Sequence, residues 1–328
     1  MLRTAPPKLS QIQRPIRARL DAVGAELRRI VLTDYPPLEH VNDYLLLVRG
    51  KLFRPTLLLL SNEVGGRARP EAVTLAAIVE LVHLATLVHD DAVDHSVLRR
   101  GMPTVNALWN HQTAVIMGDY LYSRSVAELA QLGRTDLIHV LSRAANEMSV
   151  GEMRQLVSCD ALRYTEEEYT QLIACKTASL MSAACELGAL AGHDGYRAPL
   201  ARFGHHLGMA FQIADDLLDY TETEAVTGKP SGQDLREHKV TLPLIAALAA
   251  MGPEHQREAE AFFADPDPTD DGIARLIALV REHGGLEYAR RRAEEYAARA
   301  EEALAPLPPG TAADALRAAV AYVIDRRH

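Results

Sequence analysis

Large aromatic side chains are scarce in this chain of 328 residues: five phenylalanines, eleven tyrosines and one tryptophan make up 5% of it, against 48% hydrophobic residues. Its core must therefore be built mainly from Ala, Leu, Val and Ile. Cysteine is scarce too. Cys159, Cys175 and Cys185 form no Cys-x-x-Cys pair, which leaves a disulfide framework without its pattern and reads as reduced core residues of a cytoplasmic protein. Positive charge is in deficit, with 35 Lys and Arg against 44 Asp and Glu, a net charge of −9 and a pI near 5.8. That balance argues against a nucleic-acid surface as the main business. No long, predominantly apolar run resembles a transmembrane helix. Strand-like alternation of β-branched residues is missing, as is any Ser-His-Asp or Cys-His signature of a protein nucleophile. There is no repeat of 20–50 residues, no low-complexity tract and no Pro/Gly/Ser linker. Residues 1–328 therefore read as a single domain.

What is present is helical periodicity almost throughout. The spacing predicts helices over 15–34, 36–48, 52–65, 70–94, 104–109, 112–132, 135–158, 166–191, 195–222, 240–251, 254–264, 271–283, 285–305 and 311–326. Thr165 followed by three glutamates marks the start of one of them. Segments 70–90 and 171–192 are apolar around most of their circumference, as suits the centre of a large helical bundle. Met1 to Leu20 holds five basic residues and no acid, interrupted by Pro6, Pro7 and Pro15. Residues 1–14 read as a flexible tail without an apolar signal core, with transient contact to an anionic membrane surface as an option.

The chemistry is concentrated in a pattern that occurs twice. Asp90-Asp91-Ala92-Val93-Asp94 and Asp215-Asp216-Leu217-Leu218-Asp219 each end an apolar stretch. On a helix the first and fifth residues point the same way, and the second lies about a quarter-turn aside. No basic residue stands at i+4 to neutralise either copy, as it would on an ordinary solvated face. Such carboxylate-only donor sets select a hard cation, Mg2+ above all, which completes its shell with water and substrate phosphates. Two half-sites facing one another would grip a diphosphate.

Cations stand in four places. Arg99 and Arg100 follow the first motif on a loop closed by Gly101 and Pro103. Lys51 and Arg54 sit three apart at the entry to a helix, beside its amide donors. Lys229 and Lys239 flank a Gly/Pro-rich segment after the second motif, suited to a lid. Lys176 precedes Thr177 inside an apolar helix, where a lysine needs an anionic partner. Together these suffice for two separate diphosphates.

The two aspartate-rich motifs, Arg99-Arg100-Gly101 after the first and Phe211-Gln212 before the second, resemble the trans-isoprenyl diphosphate synthases, also called polyprenyl synthetases. The resemblance runs from about Arg49 through the C-terminal helices. It implies an all-α isoprenoid synthase fold, a single large helical bundle around a central cavity. It implies condensation of an allylic diphosphate, such as farnesyl diphosphate, with isopentenyl diphosphate, and three Mg2+ ions, with Mn2+ as a substitute. In that reading Asp90 and Asp94 hold two ions, Asp215 with Asp219 holds the third, and Asp91 and Asp216 complete the metal-binding motifs. Arg99, Lys176, Thr177, Gln212, Lys229 and Lys239 contact the allylic diphosphate. Lys51, Arg54, His83 and Arg100 hold isopentenyl diphosphate. A homodimer and transient membrane contact for product release are further implications.

Five and four residues before Asp90 stand Ala85 and Thr86, where short-chain members of that family place aromatic residues as a tunnel floor. With Leu81 a turn deeper, this points to long-chain products, such as quinone side chains. A short-chain farnesyl or geranylgeranyl diphosphate synthase, and the catalytic subunit of a heteromeric synthase, are the alternatives. Glu80 and His83 also make one Glu-x-x-His, but a di-iron bundle needs a second, which the sequence lacks. A class I terpene cyclase shares the first motif, yet would not repeat it or keep Lys51, Arg54 and Arg100.

Overall fold

The computed structural model describes residues 7–47, 50–99, 101–157, 161–221 and 232–325. In chain order its helices are α1 (Leu9–Gln13), α2 (Arg17–Ile30), α3 (Pro36–Leu47), α4 (Phe53–Glu63), α5 (Glu71–Val93), α6 (Val105–Leu108), α7 (His111–Gln131), α8 (Thr135–Val157) and α9 (Glu166–Ile173). They continue with α10 (Ser179–Leu190), α11 (Arg197–Thr221), α12 (Gln233–Arg236), α13 (Leu242–Ala250), α14 (Pro253–Ala264), α15 (Asp270–Glu282), α16 (Gly285–Ala303) and α17 (Thr311–Ile324). Among the described residues, strands are confined to one antiparallel hairpin, β1 (Leu98–Arg99) and β2 (Met102–Pro103).

Helix α5 is central because its sequence has no polar face in its first half. Leu75, Ala76, Ala77, Ile78 and Val79 are all buried, and α5 packs against α2, α4 and α7. Helix α10 is buried along nearly its whole length between α4, α8 and α11. Both α5 and the segment Glu166–Leu190 turn out long and apolar enough to cross a membrane, contrary to the sequence expectation. Their apolar windows are 56% and 72% buried against other helices, which accounts for the composition as that of core helices.

Four local features differ from expectation. Residues 9–14 are not the end of a tail: Ile12 is buried in the main core, and α1 packs on α17, a contact no local pattern reveals. The arginine loop after the first motif is a short hairpin turned by Gly101 at φ +75°. The expected helix 166–191 is interrupted by a π-helical turn at Ala174–Ala178. Its start is as read, since Thr165 and Glu168 exchange hydrogen bonds in a capping box. Finally, α12 is an extra short helix after the second motif.

Glycine spacing sets how closely α10 and α11 approach. A Cβ on Gly204 would lie 2.5 Å from the Met181 carbonyl oxygen, and one on Gly208 would lie 2.6 Å from the Ala178 Cα. The π turn can therefore sit directly against α11. A second apolar cluster (Tyr220, Leu235, Leu244, Leu276, Leu279 and Leu286 among it) supports the segment that follows the second motif.

Candidate active site

The first motif lies where α5 stops. The Asp94 amide donates to the Asp90 carbonyl at 2.8 Å, His95 turns left-handed at φ +51°, and the Ser96 amide donates to the Asp91 carbonyl at 3.0 Å. The chain thus leaves the helix at once, and Asp90 and Asp94 stand at its mouth. Asp90 is half-buried and Asp94 exposed, while Asp91 is only 5% exposed. Arg99 Nε donates to both Asp91 oxygens, at 2.8 and 2.9 Å. Asp91 is therefore turned inward and anchors the hairpin, which sets it apart from the metal-facing pair expected from the motif. Burial pushes the Asp90 carboxyl up to about 6; Lys176 opposes this, and the charge of Glu152 adds to it. A carboxylate in that position calls for a cation.

The second motif repeats the division. Asp216 is 5% exposed and accepts from Tyr169 Oη at 2.6 Å and Gln212 Nε2 at 2.8 Å. Thr177 Oγ1 donates to Gln212 Oε1 at 2.7 Å, so the π turn is tied to α11 through this chain. Burial and then the charge of Asp234 hold Asp216 well above the usual carboxylate range. Asp216, like Asp91, faces protein, and its place differs from the metal ligand expected of it. Asp215 is exposed. Asp219 is half-buried, and its carboxylate accepts from the Gln233 and Asp234 amides at 3.1 and 3.0 Å, which fixes the start of α12. Burial, with Asp219 next in weight, pushes Asp234 up to about 7.

Cations join the two motifs. Lys176 lies 2.5 Å from Glu152 and donates to Gln155 Oε1 at 2.9 Å, and its charge acts on Asp90. Lys239 pairs with Glu237 at 2.5 Å. Burial would lower its pKa, but Glu237, Asp234 and Asp94 together hold it raised. Lys239 therefore feels an acid from each side of the site. Sequence reading assigned no role to Tyr169, Glu152 or Asp234. Tyr169 falls on the inward face of α9, and Glu152 and Gln155 share a face of α8, signals that become specific only once a neighbour is known. Arg100 and Lys229 lie outside the described residues.

Gly50 and Leu52, which flank Lys51, line one pocket with His83, Asp91 and Arg99. Gln13 Nε2 donates to the Lys51 carbonyl at 3.0 Å and to Thr56 Oγ1 at 3.1 Å, so α1 pins this basic segment. Lys51 is exposed and Arg54 half-buried. Glu80 also lines this pocket, and no second Glu-x-x-His joins it. Ala85 is 2% exposed and Leu81 fully buried, both in the packed core rather than on that pocket. Thr86 is half-buried, with Oγ1 donating to the His83 carbonyl at 2.8 Å.

Asp90, Asp94 and Asp215 are exposed or half-exposed carboxylates, and Lys176 and Lys239 act on Asp90 and Asp94; oxygen donors of this kind suit a hard divalent cation. Comparison with known proteins gives the family. The polyprenyl synthetase family model matches residues 35–280. An all-trans-nonaprenyl-diphosphate synthase (geranyl-diphosphate specific) of Rhodobacter capsulatus is 42% identical over 288 residues, 87% of this chain and 88% of the relative. The heptaprenyl diphosphate synthase component 2 of Geobacillus stearothermophilus is 36% identical over 310 residues, 93% of this chain and 94% of the relative. The crystal structure of a polyprenyl synthase from Caulobacter crescentus CB15, complexed with calcium and isoprenyl diphosphate, superposes with a TM-score of 0.93. It is 31% identical and covers 99% of this chain and 100% of its own. The chain thus belongs to the polyprenyl synthetase family: it is a trans-polyprenyl diphosphate synthase, a prenyltransferase with the all-α fold of isoprenyl synthases.

Proposed function

We propose that this enzyme extends an allylic diphosphate by successive isopentenyl units into an all-trans long-chain polyprenyl diphosphate, with Mg2+ as its metal. The observation that carries the reading is the division of labour in both motifs, where the second aspartate is buried in protein while the charges of Lys176 and Lys239 act on Asp90 and Asp94. Asp90, Asp94 and Asp215, with Asp219 as a further donor, would hold the Mg2+ ions, three by the family pattern. Bound there, Mg2+ would neutralise charge on the departing diphosphate.

Breaking the allylic C–O bond leaves a delocalised carbocation, and the diphosphate takes the electron pair. At 4 Å and an effective dielectric near 20, each opposing unit charge is worth about 4 kcal/mol, so Lys176 and Lys239 stabilise that separation directly. Lys176 exchanges Glu152 for the allylic diphosphate, and Thr177, Gln212, Arg99 and Lys229 complete that side. Lys51, Arg54, His83 and Arg100 hold isopentenyl diphosphate so that its double bond meets the cation. The new C–C bond forms and a proton leaves, with the released diphosphate as its acceptor. The buried helices keep water from quenching the cation.

Long products are favoured by small Ala85 and Thr86 and by the nonaprenyl product of the Rhodobacter relative. The test is product analysis with purified enzyme, Mg2+, isopentenyl diphosphate and geranyl or farnesyl diphosphate. Release of diphosphate with only farnesyl or geranylgeranyl products would overturn the long-chain assignment, and cyclised hydrocarbon would overturn the reaction itself.

A homodimer fits an exposed apolar surface on two helices: Val115, Ile116, Tyr122 and Val126 on α7, and Val150, Met153 and Leu156 on α8. The Geobacillus relative, a component 2, makes a heteromer the second reading, in which the same surface takes a different chain. A cytoplasmic location, with passing membrane contact for release of the apolar product, completes the proposal.

A further inference from the structure

Away from the aspartate motifs, the antiparallel pair α14 and α15 closes on two histidines. His255 stands in the first turn of α14, and His283 ends α15 directly after Glu282. Nδ1 of His255 lies 2.8 Å from Nε2 of His283, with ring centroids 5.0 Å apart. One donor nitrogen from each ring and a Glu282 carboxylate oxygen all lie within 4.8 Å of one another. Two ring nitrogens at hydrogen-bond distance share a single proton, since two N–H groups facing each other would repel. The fold therefore holds two ring nitrogens together, one of them offering its lone pair to the other.

The surroundings favour positive charge. Glu258 lies 4.0 Å from the other nitrogen of His255, Nε2, and pairs with Arg275 at 2.8 Å. Glu282 and Glu254 also act on Arg275, so three carboxylates face one guanidinium at this end of the hairpin.

We propose that His255, His283 and Glu282 form a second metal site, for an imidazole-preferring dication of the Zn2+ class. It is separate from the oxygen-only site of the aspartate motifs. Two imidazoles and a carboxylate are three ligands of a tetrahedral site, and water supplies the fourth. Binding displaces the shared proton, which passes through solvent to the outer nitrogen of the ring that donated it, so each imidazole keeps one N–H and offers its inner nitrogen to the metal. It also widens the N···N separation from 2.8 Å to about 3.3 Å, the value for two nitrogens at ~2.05 Å in tetrahedral geometry. Part-exposed side chains at the two helix ends can accommodate that shift by side-chain rotation. The Glu258 carboxylate, 4.0 Å from Nε2 and held by Arg275, adds negative charge beside the site. Mg2+ does not compete, because it takes oxygen ligands. The bound ion staples the end of α15 to the start of α14, next to the entry of α16.

The full-length enzyme, treated with chelator and then saturated with Mg2+ to fill the aspartate motifs, is titrated with Co2+ by visible absorption and with Zn2+ by calorimetry. The wild type should bind about one equivalent with the absorption of four-coordinate Co2+ and rise in thermal midpoint. His255→Ala/His283→Ala should bind roughly 100-fold more weakly, Glu258→Gln roughly 10-fold more weakly, and Mg2+-dependent prenyl transfer should be unchanged in both. If the alanine pair folds poorly, His255→Asn/His283→Asn serves in its place. Equal Co2+ binding by wild type and double variant, or no binding by the wild type beyond the Mg2+-filled motifs, overturns the proposal.

Discussion

Asp90 is held at odds with its ordinary ionisation, and the cost has a definite sign. Burial pushes its pKa from 3.8 to about 6. Below pH 3.8 the carboxyl is neutral in both folded and unfolded chains, so it costs nothing. As pH rises through about 6 the folded state must ionise against burial and the neighbouring acids, and stability is lost. Without metal, Asp90→Asn should therefore be more stable than wild type at pH 8, by up to about 3 kcal/mol, and equal to it near pH 3.5. With Mg2+ the same variant should lose turnover by orders of magnitude. Thermal unfolding across pH with chelator, beside assays at saturating Mg2+, checks both; near-normal condensation by the variant would refute the assignment. Tyr169 has the opposite character, since its hydroxyl supports buried Asp216 at 2.6 Å. Tyr169→Phe should cost about 1–3 kcal/mol of stability and raise the Mg2+ concentration needed for half-maximal rate. An unchanged unfolding midpoint would mean that Gln212 alone satisfies Asp216.

Helix contacts place these residues, and one contact is tight enough to test. A Cβ on Gly208 would meet the Cα of Ala178 at 2.6 Å and its Cβ at 2.9 Å. Gly208→Ala gains about 1 kcal/mol of helix propensity but overpacks by about 1–3 kcal/mol against backbone that cannot swing aside. The π turn should then shift, loosening Thr177 from Gln212. A lower unfolding midpoint and a raised KM for the allylic diphosphate are expected, whereas Gly252→Ala, with open space around its Cβ, should leave both near wild type. The helices themselves were legible from period alone, as the expected span 70–94 against Glu71–Val93 illustrates. The π turn was not, because a one-residue insertion leaves apolar spacing nearly intact and is fixed by the approach of α11. Two-residue strands are too short to alternate, which hid the hairpin. Gln13 reaches Lys51 and Thr56 across 38 and 43 positions, a relation invisible along the chain.

At the scale of the whole molecule, the proposed assembly rests on the exposed stripe on α7 and α8, and the proposed product length on the buried face of α5. Ile116 is 60% exposed at the middle of that stripe. Ile116→Asp should lower the mass seen by light scattering from dimer to monomer with the helical content kept, and an unchanged mass would place the interface elsewhere. Product length is the deeper question. Ala85 is 2% exposed and Leu81 fully buried, in the wall of a core built almost without aromatic rings. Residues four apart on a helix are successive rungs about 5.4 Å deep, comparable to one extended isoprene unit. A ring at position 85 would sit one rung or so below Asp90, so a growing chain should stop near its top. Ala85→Phe should then yield mainly farnesyl or geranylgeranyl diphosphate, with the first condensation rates largely kept because the aspartates are untouched. Enlarging a packed small residue also costs about 1–3 kcal/mol, so the unfolding midpoint is measured on the same sample. A folded variant that still makes wild-type chain lengths would show that the chain grows along another face of α5, and that Ala85 is small so that the helices can pack.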